Sequence, residues 1–347
     1  MPKKIIISTV VIALAVTLLI TLQAPDDQET MIFRTRLLMN TVCEIKAPLI
    51  EGAGDKALED AIEAAFAEIE RIEGVFSAFK DGSEISRLNG MKPREPLKVS
   101  DEAFALIEKA VRFNKLTNGA FDITVKPLVD AWKREGSKTR IVTYDELKIL
   151  MPRVGSSKLI LDKDNKTVAF ANEGMSLDMG GIAKGYAAGR AAETLKARGV
   201  ENAIVNLGGS MYCLGSRSKK LPWRVGIQHP RKKDKVLLEL DLSDMAINTS
   251  GDYERYFLVN GRRYSHIIDP RNGLPIGDDI ISASVIAKDP AVSDILATAL
   301  CVLGVDGLPL VSSIDGADAI MMLNKEGAIK IEMTHGIKGR HVITEKK

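Results

Sequence analysis

The stretch of the chain best suited to chemistry runs from Asp178 to Gly185 and reads Asp-Met-Gly-Gly-Ile-Ala-Lys-Gly. It precedes a helix that the residue pattern predicts from Tyr186 to Arg198, ended by Gly199. Glycines allow the backbone to approach a ligand closely, and a helix start beside a lysine favours an anion such as phosphate. The spacing matches neither a P-loop nor a dinucleotide-binding fingerprint. A Gly-Gly turn before a helix is also common at ordinary turns that bind no ligand.

A second stretch, residues 291–301, is mostly apolar and is predicted to be a helix. Asp294 and Thr298 are four residues apart, so they share one face of that helix. A carboxylate and a hydroxyl offer two hard oxygen ligands, which suit Mg²⁺ beside a phosphate. The structural alternative makes Asp294 a charge near the helix N-terminus and Thr298 a core residue bonded to its own backbone. The pair alone does not decide between these interpretations.

Further motifs occur in a characteristic order along the chain. In sequence they are residues 76–79, 83–89, 121–128, 178–185, 206–209, 248–256 and 264–275, followed by the pair Asp294 and Thr298. In this set the chain resembles the ApbE family, the FAD:protein FMN transferases, over roughly residues 31 to 343. Several motifs in one order are far more specific than any one of them.

The resemblance implies transfer of FMN from FAD to a threonine or serine hydroxyl of a partner protein, with release of AMP. Attack on a pyrophosphate phosphorus needs positioning, a metal to neutralise developing charge, and help in deprotonating the hydroxyl. The family implies a membrane-associated redox subunit as acceptor. Two alternatives stay open: a pyrophosphatase that hydrolyses FAD to FMN and AMP, and a non-catalytic exported flavin-binding protein.

The resemblance also implies a set of metal ligands. These are the Asp294 carboxylate, the Thr298 hydroxyl and the backbone carbonyl of Gly181, with FAD phosphate oxygens completing the coordination of Mg²⁺. Lys184 is expected to contact the pyrophosphate as a point charge, unless it is an ordinary lysine on the helix surface.

Candidate acid–base and phosphate-binding residues come from three motifs. His266 is the candidate general base or phosphate ligand, or else a hydrogen-bonded histidine at a strand end. Asp178 is an alternative base or an orienter of its turn. Thr249 and Ser250 resemble family residues near the phosphates, although small polar residues there also cap turns.

The remaining FAD contacts are also carried over from the family. Phe79 occupies a position where the family commonly has a tyrosine stacked on the isoalloxazine ring, and the alternative is a core aromatic. Met39 precedes Asn40 where the family usually has Met-Gly-Thr, so Asn40 either narrows the adenosine end of the pocket or adopts a left-handed conformation. Asp122 resembles a family residue near the adenine, or it forms a turn at a strand end.

Composition and the N-terminus bear on the compartment. The 347 residues carry a net charge of +2, which does not indicate a nucleic-acid partner. Lys3 and Lys4 precede an apolar run over residues 5–22, so residues 1–30 are predicted to be a signal anchor or signal peptide with a short tether. We favour an uncleaved anchor, with residues 31–347 as one ApbE-like domain facing the periplasm or cell exterior.

The three cysteines show no metal-binding pattern. Cys301 falls in the apolar predicted helix and is expected to be buried. A bridge between Cys43 and Cys213 in an oxidising compartment stays open.

The elements that must position these residues follow from periodicity. Helices are predicted at residues 55–72 and after a Ser100 cap, a half-buried strand at 238–242, and hairpins at 159–170, 257–264 and 320–331. Residues 133–154 are charged and are expected to form a surface excursion. Hairpins interspersed with helices predict an α+β fold of largely antiparallel sheets with packed helices, and the family resemblance implies a T-fold-related architecture.

Overall fold

The fold is seen in a computed structural model that describes residues 30–49, 55–132, 141–218, 221–232, 235–252, 256–259, 262–337 and 341–343. The predicted N-terminal anchor therefore lies outside the described residues. The helices are α1 (Asp55–Phe76), α2 (Glu84–Asn89), α3 (Asp101–Leu116), α4 (Lys126–Trp132), α5 (Tyr144–Leu150), α6 (Ala183–Ala197), α7 (Pro290–Leu303) and α8 (Leu308–Ser312). The first eight strands are β1 (Met31–Leu38), β2 (Thr41–Pro48), β3 (Leu97–Lys98), β4 (Leu159–Asp162), β5 (Thr167–Phe170), β6 (Ala203–Leu207), β7 (Ser210–Leu214) and β8 (Trp223–Gln228). The others are β9 (Val236–Leu242), β10 (Met245–Gly251), β11 (Tyr256–Val259), β12 (Arg262–Ser265), β13 (Ile280–Ala287), β14 (Asp318–Lys325), β15 (Ala328–Met333) and β16 (His341–Ile343).

The centre of the fold is a sheet of eight strands in the order β1-β2-β6-β7-β10-β13-β14-β15. Every neighbouring pair in it is antiparallel. Helices α1, α6 and α7 pack on one face and form the larger core with the sheet. Strands β8 and β9 pack on the opposite face around a second core. The predicted α+β class with antiparallel sheets is confirmed.

The two faces of this sheet settle the cysteine question. Cys43 belongs to the core on the helix side, whereas Cys213 belongs to the core on the other side. Both thiols are free and buried, so they do not form a bridge. Cys301 is buried in α7, as its apolar surroundings predict.

Local sequence signals correctly placed the four long helices α1, α3, α6 and α7 and three of the hairpins. Ser100 caps α3, since its hydroxyl accepts from the Ala103 amide at 3.2 Å. The pairs β4–β5, β11–β12 and β14–β15 are antiparallel hairpins. The Asn-Gly turn at 260–261 between β11 and β12 lies outside the described residues.

The segment predicted to be a surface excursion contributes to a small core instead. Val142, Leu147 and Val154 are buried together with Leu128 and Trp132. The Trp132 indole donates to the Gly273 carbonyl at 2.8 Å, which attaches the loop after β12 to this cluster. Residues 133–140 lie outside the described residues.

Helix α7 is apolar because it is a core helix. Within the described part of the chain, one stretch, Pro290–Ser312, is long and apolar enough to cross a membrane. Residues along α7 are buried against the sheet and α6, including Ile295 and Leu296. Hydrophobic length here reflects burial in the domain core.

Candidate active site

The start of α6 is held in place by a turn built from its own motif. The Asp178 carboxylate accepts from the Gly180 amide at 2.8 Å. The Asp178 amide donates to the Ile123 carbonyl at 2.8 Å, which joins this turn to the 121–128 motif. The predicted helix is confirmed, but it begins at Ala183, three residues earlier than expected.

Helix α6 approaches α7 closely at Gly185. A Cβ at this position would lie 2.2 Å from the Pro290 carbonyl oxygen and 2.7 Å from the Cβ of Asp294. The absence of a side chain also lets the Gly185 amide donate to Asp294 Oδ2 at 2.8 Å. The last glycine of the motif therefore brings the two candidate site segments together.

Asp294 is an unusual residue for a core helix because its carboxylate is buried. Asp289, and not Asp294, is the N-cap of α7, so the interpretation of Asp294 as a helix-terminal charge is wrong. Burial raises the pKa of Asp294, and the Lys184 charge and the Gly185 amide offset part of that effect. A buried carboxylate with one amide donor has oxygen lone pairs left for a cation.

Thr298 lies one turn further along the same face of α7. A Cβ on Gly181 would be 3.0 Å from Thr298 Oγ1, so the Gly181 backbone borders this hydroxyl. Ser250 Oγ lies 3.4 Å from Thr298 Oγ1. The structure thus brings the three predicted metal ligands, together with Ser250, to one place.

The oxygen donors here fit a hard divalent cation. The described residues contain no group of three or more His, Cys, Asp or Glu side chains that could hold a metal. The candidate site at Asp294 instead combines one carboxylate, one hydroxyl and a nearby backbone segment. Mg²⁺ is commonly bound in this manner, through one or two carboxylates together with substrate phosphates and water.

Lys184 is placed beside this group. Burial raises the pKa of Asp294 and raises that of the Cys43 thiol on β2 to about 12. The positive charge of Lys184 offsets part of both increases. The lysine therefore lies within electrostatic range of both α7 and β2. Lys184 lies in the first turn of α6, and its contact with an anionic group stays a prediction.

Two other predicted site residues are Thr249 on β10 and His266 just after β12. The Thr249 hydroxyl lies 2.8 Å from Ser284 Oγ on the neighbouring strand. Because successive residues of a strand point to opposite faces, Thr249 points away from the face that Ser250 shares with Thr298. His266 is partly buried at the bend that follows β12.

Phe79 lies on the surface. Its side chain is 58% exposed, so the alternative of a core aromatic is wrong. The Lys126 ammonium is 5.0 Å from the centroid of the ring. An exposed aromatic ring offers surface for stacking.

Asp122 has a clear structural role. Its carboxylate oxygens accept from the Thr124 amide and hydroxyl, the Ser156 amide and hydroxyl, and the Asn114 amide, at 2.6–2.9 Å. These bonds join α3 to the segment before β4. A contact with adenine stays a prediction.

Met39 and Asn40 form the turn between β1 and β2. Both have positive φ, 52° and 56°, so Asn40 does adopt the left-handed conformation. The Met39 amide donates to the Glu73 carboxylate at 3.0 Å. Sequence reasoning missed this hairpin and Glu73, although an asparagine at the family's glycine position hinted at the turn.

Comparison with known proteins shows the family to which the chain belongs. The sequence pattern of the ApbE family matches residues 39–321. The chain is 32% identical to the FAD:protein FMN transferase of Vibrio cholerae, covering 84% of this chain and 87% of that protein. It is also 32% identical to the enzyme of the same name from Treponema pallidum, covering 83% of each chain.

Solved structures give the same result. The ApbE protein of Thermotoga maritima superposes with a TM-score of 0.80 at 32% identity, covering 89% of this chain and 99% of the other. The flavin transferase ApbE of Vibrio cholerae gives a TM-score of 0.77 at 29% identity, covering 89% and 98%. The fold and motif order define an ApbE-type α+β domain. The chain belongs to the ApbE family.

Proposed function

We propose that this protein transfers FMN from FAD to a threonine or serine hydroxyl of a partner protein and releases AMP. The observation that carries the proposal is the convergence of Asp294, Thr298 and Gly181 at the start of α6. Relatives that share most of the chain are named FAD:protein FMN transferases. The chain is therefore an enzyme of the phosphorus-group-transfer class.

Mg²⁺ is the proposed cofactor of this site. Asp294, Thr298 and the Gly181 carbonyl would hold it together with the FAD phosphates. When bound, it supplies charge neutralisation for the pyrophosphate during transfer. The buried carboxylate of Asp294 supports this assignment, because an ionised group in the core is costly without a partner.

The proposed transfer forms one bond and breaks one. The acceptor hydroxyl oxygen attacks the phosphorus on the FMN side of the FAD pyrophosphate. The bond from that phosphorus to the bridging oxygen breaks, and AMP leaves with that oxygen. His266 is the proposed base for the hydroxyl proton, with Asp178 as the alternative, and Lys184 stabilises the phosphate charge.

Asp178 has a second proposed role as an orienter. Its carboxylate holds the Gly180 amide, so it fixes the turn that presents the Gly181 carbonyl. Lys184 lies four residues beyond that turn's Gly180, in the first turn of α6. The motif thus supplies both a backbone ligand and a cation beside the phosphates.

FAD is proposed to bind across the neighbouring turns. Phe79 would stack on the flavin ring, and its exposure supports this role. Met39 and Asp122 would line the adenosine portion. Ser250 would line the phosphates, since its hydroxyl lies next to Thr298, whereas the Thr249 hydroxyl points to the opposite face of β10 and is not assigned to the phosphates.

The site is proposed to act outside the cytoplasm. The basic and then apolar N-terminal sequence supports residues 1–30 as a membrane anchor, with residues 31–347 as the exported domain. A membrane-associated redox subunit is then the expected acceptor. Protease added to spheroplasts, in which the outer envelope has been opened, should degrade the domain, and protection of the domain in intact spheroplasts would contradict this topology.

The test of the activity is to incubate the protein with FAD, Mg²⁺ and a candidate acceptor, and to separate the products on a denaturing gel. A flavin-fluorescent acceptor band supports transfer. Its loss after substitution of the acceptor threonine by alanine ties the signal to the phosphoester. Free FMN without a labelled acceptor would instead identify an FAD pyrophosphatase.

A further inference from the structure

Asn248 is buried in the core beside the candidate site, and half of its amide is unpaired. Its side chain is 1% exposed. Nδ2 donates to the Pro290 carbonyl at 3.3 Å. Among the described residues, Oδ1 of Asn248 is the buried side-chain polar atom without a hydrogen-bond partner. Such an atom costs about 1–3 kcal/mol, so its presence needs a physical reason.

The position of Asn248 relative to α7 points to that reason. Asn248 and Ser250 are two apart on β10, so both face α7. Asn248 contacts Pro290 in the first turn of α7, and Ser250 contacts Thr298 two turns later. Asp294 lies midway between those contacts on the same helix face.

The surroundings of this pair are polar as well as buried. Ser210 is the cross-strand partner of Asn248 and is itself 1% exposed. Asp294 is 3% exposed. The contact between the sheet and α7 therefore carries an amide and a hydroxyl on the strands and a carboxylate on the helix, at positions that are normally apolar in a purely structural contact.

We propose that Asn248 is a positioning residue for the divalent cation, an inference that rests on the proposed function. Nδ2 holds the first turn of α7 in place through Pro290. Oδ1 accepts a hydrogen bond from the hydration shell of the cation held at Asp294. Mg²⁺ keeps several waters when bound to proteins, and an amide oxygen is a suitable acceptor for them.

Two substitutions separate this role from simple packing. Asn248→Leu keeps a similar volume and removes both ends of the amide. Asn248→Asp keeps Oδ1, removes the donor to Pro290 and adds a second buried carboxylate under the same face of α7 as Asp294. Asn202→Asp is the matched control, because Asn202 precedes β6 and its Oδ1 accepts from the Ser216 amide at 2.9 Å.

The measurement is Mn²⁺ affinity of the full chain in detergent without FAD, from the electron paramagnetic resonance signal of free Mn²⁺. Asn248→Leu should weaken binding by about tenfold, the usual effect of losing an outer ligand contact. Asn202→Asp should leave the affinity unchanged. An affinity in Asn248→Leu within about twofold of wild type would overturn the proposal, because loss of outer contacts costs more than that.

Thermal melting gives a second readout, in which the Asn248→Asp variant should respond more strongly to the cation than wild type does. Asn248→Asp should melt lower than wild type without metal, and Mg²⁺ should raise its melting temperature by more than it raises that of wild type. An equal or smaller rise would contradict the role of Asn248. If wild type itself binds no Mn²⁺, and Asp294→Ala is indistinguishable from it, then the cation site of the proposed function fails as well.

Discussion

Substitution of Gly185 by alanine is the sharpest test of how α6 and α7 build the site. The new methyl group would lie 2.2 Å from a backbone oxygen, that of Pro290. Neither the helix backbone nor Asp294 offers a flexible end that can move aside. Helix α6 must therefore shift away from α7, and the bond from the Gly185 amide to Asp294 must lengthen.

The size of the effect follows from opposing terms. Overpacking in a core costs about 1–3 kcal/mol, and weakening a hydrogen bond to a charged group costs about 1.5–3 kcal/mol when it is lost completely. The gain from replacing glycine by alanine in a helix is at most about 1 kcal/mol. A net destabilisation of about 2–3 kcal/mol should lower the melting temperature by roughly 4–10 °C in a domain of this size.

The chain contains its own control for the helix-propensity term. Gly74 lies in α1, and a Cβ there would meet no atom within 4 Å. Gly74→Ala should therefore leave the protein unchanged or stabilise it by up to about 1 kcal/mol. Calorimetric melting of both variants, with and without Mg²⁺, gives stability and cation response in one experiment.

The melting temperature should fall in Gly185→Ala and should stay the same or rise in Gly74→Ala. Gly185→Ala should also lose most of the stabilisation that Mg²⁺ gives to wild type, because Asp294 is displaced. A melting temperature at or above that of wild type, with an unaltered response to Mg²⁺, would refute the close contact between α6 and α7.

Three further predictions concern single residues. Burial raises the pKa of Asp294 in the folded protein above its value in the unfolded chain. The contribution of Asp294 to folding stability is therefore fully present below the ordinary carboxyl pKa, and it is lost as pH rises through the raised pKa. Without metal, Asp294→Asn should therefore have a higher melting temperature than wild type at neutral pH and the same melting temperature at about pH 4. A lower melting temperature for Asp294→Asn at neutral pH would contradict the assignment. Phe79→Ala should weaken FAD binding by about fivefold, from about 1 kcal/mol of stacking, while shifting the melting temperature little because the ring is 58% exposed. Unchanged affinity in a fluorescence titration would remove Phe79 from the site. Asn40 has a φ of 56°, so Asn40→Ala should cost about 1–2 kcal/mol in denaturant unfolding, whereas Asn40→Gly should cost less. Equal costs for the two variants would show that the turn conformation is not what Asn40 provides.

The sequence predicted the elements whose signals are local. The apolar period of α7, the Ser100 cap of α3 and the turns of the hairpins lie within one element or between adjacent ones. Asp294 and Thr298 were recognisable as a pair for the same reason, because helical spacing alone puts them on one face.

What the sequence did not predict depends on contacts between distant segments. The role of Gly185 arises only when α6 lies against α7, more than one hundred residues later in the chain. Asn248 stood in a recognised motif, yet its unpaired Oδ1 is visible only once β10 is buried under α7. The exposure of Phe79 likewise depends on how the turn after α1 packs, and an aromatic residue alone does not reveal it.

The ratio of two products distinguishes transfer of FMN to a protein from hydrolysis of FAD. Protein, FAD, Mg²⁺ and an acceptor domain are mixed, AMP is quantified by chromatography, and FMN attached to the acceptor is quantified by intact mass. A flavin transferase should give one attached FMN for each AMP released, and the Asp294→Ala variant should give neither product above background. Release of AMP with free FMN and an unmodified acceptor would contradict the proposed transfer.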